Sequence, residues 1–114
     1  MFDPEKIKDF LSRHDDTDLI VVEGIKDREN LQKLGFENVY TISGKSLYDV
    51  LDELISFSNI AILTDFDKEG KKKAKILVDL LQPHGIKINT SFRRNFFSTF
   101  GIYKVEELKS FFKI

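Results

Sequence analysis

Three acidic residues follow two apolar runs of the chain. Asp65 and Asp67 come within four residues after the run at 59–63, and Glu23 follows the run at 19–22. In an extended segment Asp65 and Asp67 would point to the same side, about 6–7 Å apart along the chain. Two carboxylates that close raise each other's pKa unless a cation lies between them. A hard divalent cation such as Mg²⁺ suits this arrangement, because it binds through one or two carboxylates, water and phosphate oxygens.

The paired aspartates also have a structural alternative. Asp is common in turns and at helix N-caps, so Asp65 and Asp67 could serve only to start the helix that follows. The second acidic signal upstream, Glu23 at the end of another apolar run, favours the chemical interpretation.

Short β-branched runs alternate with helical patterns along most of the chain. This alternation predicts an α/β fold of three layers, with a central, mostly parallel sheet of about four strands and helices on both faces. Right-handed crossovers then bring the ends of the first and third strands to one edge of the sheet, so that Glu23, Asp65 and Asp67 share a crevice. The predicted strands are 19–22, 38–42, 59–63 and 86–90, and the predicted helices are 4–14, 28–34, 46–55, 68–81 and 104–112.

Basic residues near these motifs are candidates for phosphate contacts. Lys68 and Lys71 lie at the start of the helix after the aspartates, where a helix N-terminus adds affinity for anions. Lys72 and Lys73 are predicted to lie on a solvated helix face. Arg93 and Arg94 fit a solvated face and a phosphate contact equally well.

Phenylalanines accompany these arginines at helical spacing. Aromatic and basic residues together can bind nucleic acid by stacking on bases and holding phosphates. Phe96, Phe97 and Phe100 repeat with the period of a helix, however, and such a stripe is more typical of a core. We therefore predict that these three rings pack inside the protein.

The composition limits the function classes. The 114 residues correspond to one domain, and 41% hydrophobic with 32% charged residues is typical of a folded globular chain. The net charge of −1 provides no general attraction for nucleic acid. The absence of cysteine excludes disulfides and thiolate metal sites. No apolar run approaches the roughly 18 residues that span a bilayer, and the N-terminus lacks a signal-peptide pattern. We expect a cytoplasmic protein that does not contact membranes.

Two segments of the chain resemble the signature motifs of the Toprim domain of topoisomerases and primases. These are Ile-Val-Val-Glu-Gly-Ile-Lys-Asp at 20–27 and Leu-Thr-Asp-Phe-Asp-Lys-Glu-Gly at 63–70. The resemblance covers about 15–100 of a single domain spanning 1–114, with a C-terminal helical extension at about 93–114. It implies a Rossmann-like Toprim fold and Mg²⁺, which Mn²⁺ could replace.

The resemblance also implies roles for particular residues. Glu23 would act as general acid or base and contribute to the metal site, and Asp65 and Asp67 would bind the metal. Asp27 matches an aspartate often found after Glu-Gly in primase-like and maturase-like members, and a role in the site and a role as a helix cap remain equally open. Lys71 stands where topoisomerases tend to have another acid, so a full topoisomerase-like acidic set is not expected.

The chain most resembles a small stand-alone Toprim protein similar to the catalytic half of 5S ribosomal RNA maturase. The expected activity is Mg²⁺-dependent phosphodiester chemistry on nucleic acid, of the nuclease or RNA-processing type, with RNA slightly favoured over DNA. Two alternatives remain: a non-catalytic metal- and nucleic-acid-binding adaptor that works with a protein partner, and a nucleotide-binding regulator. A homodimer is also left open.

Overall fold

A four-stranded sheet forms the centre of the protein. The computed structural model describes the backbone of residues 3–112 and the side chains of residues 3–110. The strands are β1 (Leu19–Val22), β2 (Val39–Thr41), β3 (Asn59–Ile62) and β4 (Lys87–Asn89). Their order in the sheet is β2-β1-β3-β4, and every neighbouring pair is parallel. The predicted α/β class and parallel sheet are confirmed.

Five α-helices connect and cover these strands. They are α1 (Pro4–Arg13), α2 (Ile25–Lys33), α3 (Leu47–Leu54), α4 (Lys68–Leu81) and α5 (Phe92–Phe100). Two 3₁₀ segments, Gln82–His84 and Val105–Phe112, complete the described elements. The second of these replaces the predicted final α-helix. Val105 and Leu108 are both fully buried three residues apart, and three residues is the period of a 3₁₀ helix. The side chains of Phe111 and Phe112, the last apolar residues of the predicted helix, lie outside the described residues.

Alternating side chains of the central strands supply two separate cores. Ile20 and Val22 point to the face covered by α1, α2, α5 and the C-terminal 3₁₀ segment, together with Ala61 and Leu63. Their neighbours in the chain point to the opposite core, which α3 and α4 cover. Both faces of the sheet are therefore buried, as a parallel sheet requires. The structure has the predicted three layers.

Aromatic rings fill the first of these cores. Phe96 is fully buried and Phe97 nearly so, and Phe100 packs against them with a ring-centroid distance of 4.7 Å to Phe96. The prediction that these rings belong to the core is confirmed. Edge contacts of Phe92 and Phe96 with the Phe10 ring tie α5 to α1. The ring cluster thereby fixes the start of α5, which carries Arg93 and Arg94.

Within residues 3–112, no helix is both long enough and apolar enough to span a membrane.

Candidate active site

Neighbouring strands deliver Glu23 and Asp65 to the same edge of the sheet. β1 pairs directly with β3, and the ladder continues one step beyond the strand where the amide of Leu63 donates to the carbonyl of Val21. Glu23 and Asp65 follow at the carboxyl ends of these two strands. The amide of Asp65 donates to Glu23 Oε2 at 3.2 Å. The two motifs, 42 residues apart in the chain, are therefore in direct contact.

A polar crevice of about 340 Å³ opens at this edge. Acidic side chains dominate its walls, with one lysine among them. Its lining residues are Glu23, Gly24, Asp27, Asp65, Lys104 and Glu106. Glu106 and Lys104 come from the chain around the C-terminal 3₁₀ segment and were not predicted as site residues. No motif identifies them, because they reach the crevice only through the packing of this segment against α2.

Asp67 has a different position from Asp65. It is the N-cap of α4, and its Oδ1 accepts a hydrogen bond of 2.8 Å from the amide of Gly70. Its side chain does not line the crevice, although its negative charge contributes to raising the pKa of Asp65. Asp67 therefore has the structural role that the sequence left open for the aspartate pair, which is to start the helix that follows. Its other carboxylate oxygen makes no hydrogen bond to any described residue.

Asp27 completes the start of α2. The helix begins at Ile25 with Gly24 as N-cap, three residues earlier than predicted. Asp27 is thus the third helical residue, and its Oδ2 accepts a hydrogen bond of 3.3 Å from the amide of Gly24. The same side chain also lines the crevice. Asp27 therefore has both of the positions that the sequence left open.

The crowding of acids shifts two pKa values upward. Burial raises the pKa of Asp65, and the negative charges of Glu23 and Asp67 add to the shift, while a hydrogen bond from the amide of Val105 opposes it. Burial, followed by the charge of Asp65, raises the pKa of Asp27 to about 6. Negative charge is therefore only partly compensated in the crevice, which is the condition under which a bound cation is stabilising.

Lys73 compensates part of this charge. Its Nζ lies 2.5 Å from Glu23 Oε1, and the Glu23 side chain is only 22% exposed. The prediction that Lys73 lies on a solvated face missed this ion pair. The helical period could have predicted this position for Lys73. The residue follows Gly70 by about one turn and therefore lies on the helix face that meets the aspartate loop. The carboxylate of Glu23 is thus held by Lys73 through one oxygen and by the amide of Asp65 through the other.

Arg93 holds the loop that carries the aspartates. Its Nε donates to the carbonyl of Thr64 at 3.0 Å, and its Nη2 donates to the carbonyl of Asp65 at 2.5 Å. Its guanidinium carbon also lies 4.9 Å from the centre of the Phe66 ring. The sequence left open whether Arg93 lies on a solvated face or contacts phosphate. Neither interpretation included these two hydrogen bonds to the loop, which we call the Arg93 clamp.

Arg94, Lys68 and Lys71 are exposed and lie outside the crevice. Lys68 and Lys71 share a shallow surface with two further lysines of α4, and Arg94 borders a pocket beside Phe66. Their predicted phosphate contacts remain predictions.

Gly70 allows α4 to approach the aspartate loop closely. A Cβ at this position would lie 2.6 Å from the carbonyl carbon of Asp65 and closer still to its oxygen, a spacing that real side chains do not adopt. The carbonyl of Gly70 also accepts a hydrogen bond of 2.6 Å from Thr64 Oγ1, which is fully buried. The glycine of the second motif is therefore required by packing.

The donor set has the chemistry of a site for a hard divalent cation. Asp65 uses Oδ1 to accept from Val105 and Asp67 uses Oδ1 to accept from Gly70, so each retains a second oxygen without a hydrogen bond to a described residue. Carboxylate oxygens are the ligands that Mg²⁺ prefers. In residues 3–112, no group of three or more His, Cys, Asp or Glu side chains is close enough to hold a metal together. The residues therefore fit Mg²⁺ bound through one or two carboxylates and water, and do not fit an all-protein metal cage.

Comparison with known proteins decides the family. The Toprim domain model matches residues 17–90, which include both motifs. The chain belongs to the Toprim family. Toprim domains generally bind Mg²⁺, and membership indicates a metal-dependent function connected with nucleic acid.

Relatives of this Toprim chain support the assignment. A UPF0292 protein of Methanocaldococcus jannaschii is 38% identical over 97 residues, covering 81% of this chain and 76% of that protein. DNA primase DnaG of the same organism is 33% identical over 81 residues, but these make up only 18% of the primase. A solved structure titled putative protein from Aquifex aeolicus matches with a TM-score of 0.76 and 32% identity, covering 90% of this chain and 94% of that one. The finer similarity to the maturase remains a prediction.

Proposed function

We propose that this Toprim domain carries out Mg²⁺-dependent phosphodiester chemistry on nucleic acid, of the nuclease or RNA-processing type, with RNA favoured over DNA. The observation that carries the proposal is the direct contact between Glu23 and the backbone of Asp65, in a crevice where the pKa values of Asp65 and Asp27 are raised. Pairs of acids held together against their mutual repulsion are typical of functional sites.

The metal would be held directly by Asp65 and Asp67, with Glu23 contributing through metal-bound water, and Mn²⁺ could replace Mg²⁺. When bound, such an ion stabilises the charge that develops on a phosphate and orients the attacking group. Both Asp65 and Asp67 have an oxygen available for it. Asp67 can serve as ligand and N-cap together, because the cap uses only one of its oxygens.

Glu23 is the proposed general acid or base. A group in this role must lie within hydrogen-bond reach of the proton that it transfers. The hydrogen bond from the amide of Asp65 fixes the carboxylate beside the metal-binding aspartate, and Lys73 holds its second oxygen. Proton transfer requires one of these oxygens to face the substrate. Because Lys73 is a flexible, half-exposed side chain, its contact with Glu23 is the one that a contact between Glu23 and the substrate can replace.

Basic side chains outside the crevice are the proposed phosphate contacts. Lys68 and Lys71 on α4, and Arg94 on α5, are exposed cations that make no ion pair with any described residue. Arg93 already donates to two carbonyls, so in this proposal it acts on phosphate only with the donors that remain. Since the net charge is −1, binding of nucleic acid depends on these local cations.

The test is cleavage of labelled structured RNA, single-stranded DNA and double-stranded DNA with Mg²⁺ or Mn²⁺. Glu23→Gln should abolish cleavage and leave metal binding largely intact, whereas Asp65→Asn should abolish both. Asp67→Asn is especially informative, because Asn is as good an N-cap as Asp. It should lower metal affinity without lowering stability. Asp52→Asn, an exposed acid on α3, is the matched control and should change nothing.

A second function is favoured by one observation. Both oxygens of Glu23 are already engaged by Lys73 and the amide of Asp65, which suits a structural carboxylate in a metal- and nucleic-acid-binding adaptor that works with a protein partner. Metal binding that depends on Asp65, without cleavage of any of the substrates above, would support the adaptor and refute the nuclease.

A further inference from the structure

The aromatic rings exposed beside the crevice are different from those that the sequence pattern singled out. Phe96 and Phe97 are buried. Phe66, between the two aspartates, is 37% exposed, and Tyr103 is 68% exposed. Tyr103 pairs with no other described ring, and its hydroxyl makes no hydrogen bond to a described residue. Because Phe66 and Tyr103 line one pocket, they form a grouped apolar surface of the kind that marks interaction sites.

Phe66 and Tyr103 are connected through the backbone. The amide of Phe66 donates to the carbonyl of Tyr103 at 2.6 Å. The Phe66 ring is fixed from behind by Phe97, at a centroid distance of 5.4 Å, and by the guanidinium of Arg93. The Phe66 ring is therefore held in place, and little conformational entropy of this side chain remains to be lost when a ligand binds.

Both rings line a pocket of about 320 Å³. Phe66, Phe97, Ile102 and Tyr103 supply its apolar walls, and Arg94 and Ser98 supply polar groups at its border. Arg94 is exposed and forms no ion pair within the described part of the chain. The volume is at the lower end of the range for small-ligand sites. An apolar slot with an unpaired arginine at its border is complementary to a flat ring joined to a phosphate.

We propose that Phe66, Tyr103 and Arg94 form a subsite for one unpaired nucleotide, whose base packs against the two rings and whose phosphate pairs with Arg94. This inference rests on the proposed function and specifies its substrate class: nucleic acid that is single-stranded beside the crevice. A base inside a duplex is already stacked on both faces and cannot enter the pocket. Stacking also supplies affinity that a chain with a net charge of −1 cannot obtain from phosphate contacts alone.

The position of the subsite relative to the acids supports this assignment. Phe66 lies between Asp65 and Asp67 in the chain, and the backbone next to Tyr103 reaches Asp65 through the hydrogen bond from the amide of Val105. A nucleotide held by these rings therefore has its neighbouring phosphate beside the crevice. The subsite would position the strand relative to Glu23.

The test is binding of labelled oligonucleotides in the Glu23→Gln background, which keeps the strand uncut. Tyr103→Ala should weaken binding of single strands by about 5- to 140-fold, the range expected for loss of one base–aromatic stack. Binding of a duplex of the same sequence should not change. Tyr103→Phe keeps the ring and should bind like the parent. Tyr48→Ala, which removes a tyrosine that is 77% exposed on α3, is the matched control and should have no effect.

Two further measurements separate stacking from other effects. An oligonucleotide with 2-aminopurine at successive positions should show quenching at the stacked position, and Tyr103→Ala should remove it. Phe66→Leu, which retains apolar volume without a ring, should weaken single-strand binding as well. Arg94→Ala should reduce the salt dependence of binding by about one phosphate contact.

Different failures of this test have different meanings. If Tyr103→Ala and Phe66→Leu bind single strands as the parent does, while Glu23-dependent cleavage is present, the subsite is refuted and the proposed function stands. If the parent binds neither single strands nor duplexes, both are refuted. If Tyr103→Ala instead abolishes self-association in sedimentation experiments and leaves oligonucleotide binding unchanged, the surface contacts a second copy of the chain and the nucleotide subsite is refuted.

Discussion

Replacing Gly70 by alanine tests how tightly α4 must pack against the aspartate loop. On propensity alone, Gly70→Ala should stabilise a helix by about 1 kcal/mol. The structure predicts the opposite sign. The added Cβ would lie 2.6 Å from the carbonyl carbon of Asp65, whereas ordinary contact begins at 3.4 Å. The obstacle is backbone rather than a flexible side chain, so the helix and the loop must separate by about 1 Å or more.

This separation has two costs. Overpacking of a close contact costs about 1–3 kcal/mol. The same movement stretches the hydrogen bond from Thr64 Oγ1 to the carbonyl of Gly70, and both groups are buried. Leaving such a pair unsatisfied costs about 1–3 kcal/mol. After the gain in helix propensity, we expect a net loss of about 1–5 kcal/mol in the free energy of unfolding.

Urea unfolding followed by far-UV circular dichroism measures this loss. Gly24→Ala is the matched control, because a Cβ there would meet only Asp27 Oδ2, at an ordinary 3.9 Å. Its cost at the N-cap of α2 should stay below about 1 kcal/mol. Hydrogen exchange of the Phe66 and Val105 amides should accelerate in Gly70→Ala, since both are bonded to or next to the displaced loop. A Gly70→Ala protein as stable as the wild type would refute the close approach and, with it, the geometry assigned to Asp65.

Three further substitutions test the groups around the crevice. Folding raises the pKa of Asp27 from 3.8 to about 6, so the folded state retains a proton that the unfolded state releases, and this contribution to stability is lost as pH rises from about 4 to 6. Asp27→Asn should therefore become more stable than the wild type over that interval, by about 1–2 kcal/mol after allowance for its partial exposure, and a difference independent of pH in urea titrations would contradict this. Lys73→Met should change stability by less than about 1 kcal/mol because the pair with Glu23 is partly exposed, but under the proposed function calorimetry should show Mg²⁺ binding about fivefold tighter; weaker binding would mean that Lys73 positions a ligand. Arg93→Lys should lose at least one of two hydrogen bonds to loop carbonyls and about 1–2 kcal/mol in thermal or urea unfolding, whereas an unchanged stability would show that the clamp does not hold the loop.

Elements with a strong period could be predicted from the sequence. The apolar runs of β1 and β3 and the apolar stripe of α4 predict that these residues are buried. The parallel pairing of the strands follows from the alternation of strands and helices. Contact between Glu23 and Asp65 follows in turn, since neighbouring parallel strands end at the same edge. These inferences use only local pattern and chain topology.

Contacts that depend on packing could not be predicted. No pattern around Arg93 indicates that it donates to the carbonyls of Thr64 and Asp65, because the partners are backbone groups that any sequence possesses. The 3₁₀ conformation of the C-terminal segment also depends on packing in the folded chain. Val105 and Leu108 fit an α-helix as well as a 3₁₀ helix in sequence, and the bond from the Val105 amide to Asp65 exists only in the folded chain.

The position of Asp65 therefore depends on more of the chain than the two motifs. Its carbonyl is held by Arg93 and its Oδ1 by the amide of Val105, and both residues lie beyond the segment 17–90 that matches the Toprim model. The motifs supply the acids, but the C-terminal part of the chain determines which carboxylate oxygen of Asp65 remains available. Variation in this part can consequently alter metal affinity or substrate choice while both motifs stay intact. This dependence directs mutagenesis toward 93–108 as well as toward the acids themselves.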